Sequence, residues 1–289
     1  MKLKVLNSQI DKSVNFVEES LAGFLEARYV RRPGANYFIA YLSSQNNCSK
    51  GCVFCHLTYT GQTVSADTSH NDFMSQAIQI FKHYRKENNP ASWVNFNFMA
   101  RGEPLSNKIL LESGDELLIK LGQVAKDEGL PAKFNISTIM PLTLKQSLTD
   151  TFKFINPTIY YSLYSTNPEW RKKWMPAAMN HVDALKMLKE YQKFSKKIVK
   201  IHYAFIENEN DSEEEVNNVC DALDKENLIC EFNLVRYNPA SPAQGAESSE
   251  EVITRNIDIL KNRFKFSSKV NVIQRVGSDI YASCGQFIS

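Results

Sequence analysis

The sequence predicts an α/β protein: a partial (βα)6 barrel of the TIM type, with a short N-terminal helical extension and a C-terminal strand and tail. Three observations carry this. Short apolar runs, rich in β-branched and aromatic residues, alternate with longer amphipathic segments, the pattern of parallel βα units. There are six such runs, which suits a closed or partial barrel better than a small open sheet. Cysteines, acids and small hydroxyl residues follow directly after the runs, where a barrel of this kind keeps its functional groups.

The elements follow in order. Residues Val14, Phe16, Val17, Leu21 and Phe24 fall at helical spacing, predicting one helix in residues 1–35. After "RYVRRPGAN" the run "YFIAYL" (37–42) reads as the first barrel strand. The next five are "WVNFNFMA" (93–100), "AKFNIST" (132–138), "TIYYSLY" (158–164), "IVKIHYAFI" (198–206) and "CEFNLVRY" (230–237). Residues 70–86 place Phe73, Met74, Ala77, Ile78 and Phe81 on one helical face, and 114–127, 181–195 and 213–227 behave alike. "DSEEE" (211–215) is the acidic start that a helix N-terminus favours. The barrel spans 36–265, its last helix at about 250–263, and residues 266–289 carry a further strand, "KVNVIQRV" (269–276), and the tail "GSDIYASCGQFIS".

With 289 residues, the chain would suggest two domains at roughly 150 residues each, but α/β barrels run larger as one. A composition of 43% hydrophobic and 23% charged residues is that of an ordinary globular protein and excludes a disordered or fibrous chain. No apolar stretch approaches a membrane span, and the start Met1-Lys2-Leu3-Lys4 leads into no secretory h-region, so a cytoplasmic location is expected. In that reducing setting, clustered cysteines read as metal-binding or catalytic. The net charge of +2 neither requires nor excludes a nucleic-acid partner.

Cys48, Cys52 and Cys55 follow the first barrel strand. Structural zinc asks for four ligands, and here only His56 is near, badly placed beside Cys55. Three thiolates instead suit a 4Fe–4S cluster whose fourth iron stays open to another ligand. Later strand ends carry "RGEP" (101–104), "NIST" (135–138), "YSLY" (161–164) and "IENENDS" (206–212). Gly102 permits close backbone approach, Glu103 can accept hydrogen bonds from an ammonium, and Ser137 and Thr138 can meet hydroxyl or carboxylate groups. The basic stretches "RYVRR" (28–32) and "WRKKW" (170–174) suit either phosphate contact or a solvated face.

CxxxCxxC with Phe54 before the last cysteine resembles the radical S-adenosylmethionine (SAM) signature. The wider set "SSQ" (43–45), "GEPL.N" (102–107), "ST" (137–138), "SL" (162–163), "NDS" (210–212), "NLVRYNP" (233–239) and "DIYASCGQF" (279–287) resembles one family within it, the RlmN/Cfr-type RNA adenine methyltransferases, from about residue 20 onward. The resemblance implies a radical SAM partial barrel holding a 4Fe–4S cluster on Cys48, Cys52 and Cys55. It implies SAM contacts from Gly102, Glu103, Ser137, Ser162, Leu163, Tyr164 and Asn210. Cys284 matches the methyl-carrying cysteine of that family. There its sulfur is methylated by one SAM, a second SAM yields a radical that abstracts hydrogen from the S-methyl group, and the carbon adds to adenine. Glu26 matches a position assigned as proton acceptor, across a two-residue insertion. An rRNA or tRNA substrate, an electron donor such as flavodoxin or ferredoxin, no membrane and a monomeric state are implied with it.

Two departures keep a second reading open, in which the same scaffold performs another reaction or takes another substrate. Almost all of the family's helical N-terminal domain has no counterpart in this sequence. Tyr41 stands where the family has a cysteine that resolves the protein–RNA adduct, and a phenol cannot carry out thiol–disulfide exchange.

Overall fold

The computed structural model describes residues 2–20, 23–263 and 269–288. Among these residues ten strands form one sheet in sequential order. They are β1 (Leu3–Asn7), β2 (Val14–Ser20), β3 (Gly23–Val30), β4 (Tyr37–Tyr41), β5 (Trp93–Phe98), β6 (Ala132–Thr138), β7 (Thr158–Ser162), β8 (Val199–Tyr203), β9 (Cys230–Val235) and β10 (Val270–Ile273). β1 to β4 pair antiparallel, and β4 to β10 are all parallel. The helices are α1 (His56–Tyr59), α2 (His70–Tyr84), α3 (Lys108–Asp127), α4 (Leu148–Thr151), α5 (Pro168–Trp174), α6 (His181–Ser195), α7 (Glu213–Lys225) and α8 (Glu250–Arg263).

All six predicted barrel strands are present as β4 to β9, and the segment after α8 supplies β10. The predicted N-terminal helix is corrected. Val14, Phe16 and Val17 lie on β2 and Phe24 on β3; Leu21 lies outside the described residues. Val14, Asn15, Phe16 and Val17 are all buried, four consecutive positions that no single helix stripe would cover. A strand hydrogen-bonded on both edges and covered on both faces buries them without loss. The described residues of the first 35 therefore extend the sheet instead of forming a helical extension, and Glu26 stands on a strand.

Strand periodicity sorts the parallel sheet into two faces. On β5, Val94, Phe96 and Phe98 are fully buried against the helices, while Asn95 and Asn97 point to a central cavity. On β9, Cys230, Phe232 and Leu234 belong to the helix-side core and Asn233 and Val235 to the cavity. Each large apolar side chain so buried contributes about 1.5–3 kcal/mol. α2 is started by a capping box between Ser69 and Asp72 and buries Phe73, Ala77, Ile80 and Phe81, with Ile78 exposed, unlike its expected place. Residues from β4 through β10 line one cavity of about 640 Å³, so the sheet curls around it.

Candidate active site

Three segments converge on the mouth of this cavity: the loop after β4, the loop after β5, and the C-terminal tail. The first runs from Ser43 to α1 and is held almost entirely by buried hydrogen bonds. Ser43 N donates to Gln76 Oε1 (2.7 Å), Ser44 N to the Arg101 carbonyl (2.8 Å), and Asn107 Nδ2 to the Ser44 carbonyl (2.6 Å). Cys48 N donates to the Gln62 carbonyl (3.2 Å) and Val53 N to the Trp174 carbonyl (2.9 Å). Phe54 stacks on Tyr164 with ring centroids 4.7 Å apart.

Cys48, Cys52 and Cys55 all line the cavity. Burial pushes each thiol up, Cys48 to about 12; Cys55 adds to the Cys48 shift by like charge, and Cys48 and Cys55 add to that of Cys52. Iron supplies the opposing charge and deprotonates such ligands outright. Among the described residues no three His, Cys, Asp or Glu side chains close on a single ion. The three cysteines are instead spread along one loop, which fits a four-iron cluster, where each thiolate takes its own iron.

Gly102 has φ +90°, and a Cβ there would sit 2.6 Å from Gln45 Cβ and 2.7 Å from Gln45 N. Only glycine lets the two loops approach so closely. Beside it, burial raises the Glu103 carboxyl, against the hydrogen bonds it accepts from Thr138 Oγ1 (2.6 Å), Ile139 N (3.1 Å) and Leu105 N (3.0 Å). Glu103 still lines the cavity, so a ligand ammonium can reach it and would restore its charge.

Of the other predicted SAM contacts, Ser137, Ser162 and Tyr164 line the cavity, whereas Leu163 and Asn210 do not. The Leu163 carbonyl accepts from Arg171 Nη1 (2.7 Å). Asn210 is a backbone clamp: Oδ1 accepts from Ile206 N (2.7 Å), and Nδ2 donates to the carbonyls of Tyr164 (2.8 Å) and Ala204 (3.0 Å). It holds Tyr164 in a left-handed conformation, φ +55°.

Cys284 lines the same cavity, open to it. Desolvation raises its thiol to about 11, the neighbouring Cys55 adds to the shift, and Arg28 opposes it. Tyr41 also faces the cavity, its phenol raised by burial and then lowered in part by Arg32. Apart from these four, the remaining described cysteines, Cys220 and Cys230, are buried in the helix-side core. Glu26 is fully buried and does not line the cavity. Burial works to raise its carboxyl, but Arg28 and Arg101 together hold it below the ordinary carboxylate range.

The basic stretches are not simple surface patches. Arg28 and Arg31 are buried, the latter bonded to Glu87 and to the Asn89 and Pro90 carbonyls, while both Arg28 and Arg32 line the cavity. In α5, Trp170, Arg171 and Trp174 are buried and the two lysines face outward.

The cavity also holds residues that the motifs did not single out. Asn135 Nδ2 donates to Asn97 Oδ1 (2.6 Å), Asn271 Nδ2 to Asn233 Oδ1 (3.2 Å), and Ser137 Oγ lies 3.4 Å from His202 Nδ1. Ser162, His202, Asn233 and Asn271 stand in register across four strands. Desolvation lowers His202 to about 4, so its imidazole is neutral. Barrel interiors of this type are usually filled by branched apolar residues; here alternate strand positions are polar. The signal was present in "VNFNF", "FNIS", "IHY", "FNL" and "VNV", where a polar residue recurs between apolar ones.

No family model matches the chain. It is 31% identical over 256 residues to a probable dual-specificity RNA methyltransferase RlmN of Flavobacterium johnsoniae, covering 86% of this chain and 68% of that protein. It is 28% identical over 288 residues to a probable RNA methyltransferase of Rhodopirellula baltica, covering 98% and 72%. To the ribosomal RNA large subunit methyltransferase Cfr of Staphylococcus warneri it is 27% identical, over 85% and 67%. A radical SAM methyltransferase from Sphaerobacter thermophilus shares the fold with a TM-score of 0.78 at 20% identity, over 98% of this chain and 80% of that one. A structure of anSMEcpe with bound AdoMet does so at 0.55 and 13%, over 81% and 61%. With the three-cysteine loop, the Gly102–Glu103 turn and the Cys284 tail gathered at one barrel mouth, the chain belongs to the RlmN/Cfr family of radical SAM RNA methyltransferases, which work with a 4Fe–4S cluster and S-adenosylmethionine.

Proposed function

We propose that this protein transfers a methyl group from SAM, through Cys284, to an sp2 carbon of adenine in rRNA or tRNA. The observation that carries the reading is the shared cavity: Cys284 lines it together with Cys48, Cys52 and Cys55 and is electrostatically coupled to Cys55. When bound, the cluster and SAM supply a methyl donor and hydrogen-atom abstraction. The chain's own residues do the rest. Cys48, Cys52 and Cys55 bind iron, Glu103 receives the methionine ammonium, and Ser137, Ser162 and Tyr164 contour the SAM site, with Gly102 giving the backbone clearance. Leu163 and Asn210 support that site from behind, by bonding backbone rather than by contact.

Cys284 would lose its thiol proton to water in the open cavity and its sulfur would take the methyl group, the sulfonium–methyl bond of SAM breaking to leave S-adenosylhomocysteine. Its raised pKa makes that proton the first obstacle, and Arg28 is the cation positioned to favour the thiolate. The amide-lined interior suits a purine edge, since an asparagine side chain offers one donor and one acceptor in a plane. Reduction is supplied from outside by a flavodoxin or ferredoxin, and the chain acts as a monomer in the cytoplasm. Among the described residues no helix is long and apolar enough to cross a membrane.

A second reading, a different reaction or substrate on this scaffold, is favoured by Tyr41. Anaerobic reconstitution with methyl-labelled SAM, followed by mass spectrometry of the tail peptide, tests the first reading. Label on Cys284 is expected; an unlabelled Cys284 beside an intact cluster would overturn it. Nucleoside analysis of RNA from cells with and without the protein separates the two readings, since a carbon-methylated adenosine, 2-methyladenosine above all, supports the first and any other modification, or none, the second.

A further inference from the structure

Glu26 resembles a proton acceptor by sequence position, yet every part of its carboxylate is already engaged. Oε1 accepts from Arg101 Nε (2.8 Å) and Ile288 N (2.9 Å); Oε2 accepts from Arg28 Nη2 (2.8 Å) and Asn15 Nδ2 (2.9 Å). We propose that Glu26, Arg28 and Arg101 are positioning residues: a buried ionic latch that fixes the Cys284 tail against the cysteine loop. The inference rests on the reading of Cys284 as methyl carrier for its purpose, but not for its geometry.

The tail is held at every carbonyl from Ser283 to Ile288. Arg28 donates to Ser283 (3.5 Å) and Gln286 (2.6 Å), and Asn238 Nδ2 to Cys284 itself (3.0 Å). His56 N donates to Gly285 (3.1 Å), and its Nδ1 lies 3.0 Å from the Phe287 carbonyl. The Ile288 carbonyl accepts from Arg101 Nη2 and from Gln62 Nε2 (3.1 Å). The Phe287 ring lies under both guanidinium groups, 4.9 Å from Arg28 and 5.7 Å from Arg101.

The second hand of Arg101 grips the other partner. Its Nη1 donates to the Asn46 carbonyl (3.0 Å) and Asn47 Oδ1 (3.2 Å), immediately before Cys48, and to Gln62 Oε1 (2.7 Å), just past α1. One buried guanidinium thus ties the tail to the loop that carries the three cysteines, with Glu26 neutralising it and Arg28 completing the hold. The antiparallel strands β2 and β3 are the seat of this latch. At its start the tail is fastened to β2 by Asn15 to the Ile280 carbonyl (3.2 Å), and to the turn between β1 and β2 by Ser8 to Asp279 (2.7 Å) and Gly277 N to Asp11 (2.7 Å). A methyl-carrying sulfur must meet its donor within a fraction of an ångström, and such placement requires a rigid supporting shell.

The test uses the full chain and compares Glu26→Gln with Ile288→Pro. The second removes the tail N–H that Glu26 accepts, constrains the backbone at Phe287 and position 288, and leaves the buried triad whole, so it reports on the latch even where Glu26→Gln folds poorly. Hydrogen exchange of residues 278–288 and the alkylation rate of Cys284 by iodoacetamide are read on the purified chain. In the reconstituted enzyme, Cys284 methylation is read against 5′-deoxyadenosine release. Both variants are expected to raise tail exchange and Cys284 alkylation about tenfold, and to lose Cys284 methylation while 5′-deoxyadenosine release persists. Unchanged exchange and alkylation in Ile288→Pro would overturn the latch. So would a Glu26→Gln chain that exchanges as wild type but loses activity, the mark of a proton acceptor. If wild-type Cys284 is never methylated, the functional reading fails while exchange and alkylation still decide the latch.

Discussion

Replacing Asn210 with alanine separates a cofactor ligand from a backbone clamp. The side chain is 1% exposed and closes the turn after β8 onto the loop after β7 through three hydrogen bonds. Alanine leaves the buried Ile206 N–H without its acceptor and withdraws a donor from the Tyr164 and Ala204 carbonyls. An orphaned buried donor costs about 1–3 kcal/mol and each lost bond about 1 kcal/mol, giving about 4 kcal/mol in all. At about 2–4 °C per kcal/mol for a chain approaching this size, the melting temperature falls by about 8–16 °C. Tyr164 then loses part of what holds its φ of +55°, and with it the stack on Phe54 in the cysteine loop. Thermal unfolding followed by circular dichroism reads the loss, and Asn210→Asp, which keeps the acceptor for Ile206 N, falls between. The clamp reasoning is refuted if Asn210→Ala melts within about 2 °C of wild type yet binds SAM about tenfold more weakly, a change of about 1.4 kcal/mol.

Gly102→Ala forces a Cβ to within 2.6 Å of Gln45 Cβ at φ +90°; backbone strain alone costs about 1–3 kcal/mol, and both the melting temperature and iron retention are expected to drop. Cys52→Ala removes one of three thiolates, so iron and sulfide per chain after reconstitution should fall sharply, while Cys220→Ala, in the helix-side core, leaves them unchanged. His202 carries a pH dependence. Its folded pKa of about 4 lies below the ordinary 6.5, so the unfolded chain binds the extra proton between these values. Stability is therefore full above about pH 6.5 and lost as the pH falls toward 4, by up to about 3 kcal/mol. Denaturant titrations across that range should show this slope, and His202→Gln should flatten it.

The N-terminal strands also bear on recognition. Arg28 and Arg31 look like phosphate ligands in the string "RYVRR", but both are engaged by buried partners; Arg28 and Arg32 line the cavity and Arg31 does not. What β2 and β3 supply is support: they carry the acid and one of the bases that hold the tail, and so bind residues more than two hundred positions apart in sequence.

The parallel part of the fold and the grouping of three cysteines behind its first strand were legible in the sequence alone. Apolar strand cores, capped amphipathic helices and a closely spaced cysteine trio are encoded within a few residues of one another, where periodicity and spacing suffice. "CSKGCVFC" needs no partner from elsewhere to be recognised. The N-terminal segment misleads because Val14 and Val17 fall at helical spacing while Val14 and Phe16 fall at strand alternation; pairing with β1 and β3 decides between them. Glu26 and Asn210 were legible as positions but not as roles. A carboxylate's role depends on what fills its lone pairs, and for Glu26 those partners are Arg101 and Ile288, placed there by the closing of the sheet. The same holds for the asparagines of the interior. Alternation showed that they share a face, and only the curl of seven parallel strands turned that face into a chamber with Cys284 at its mouth.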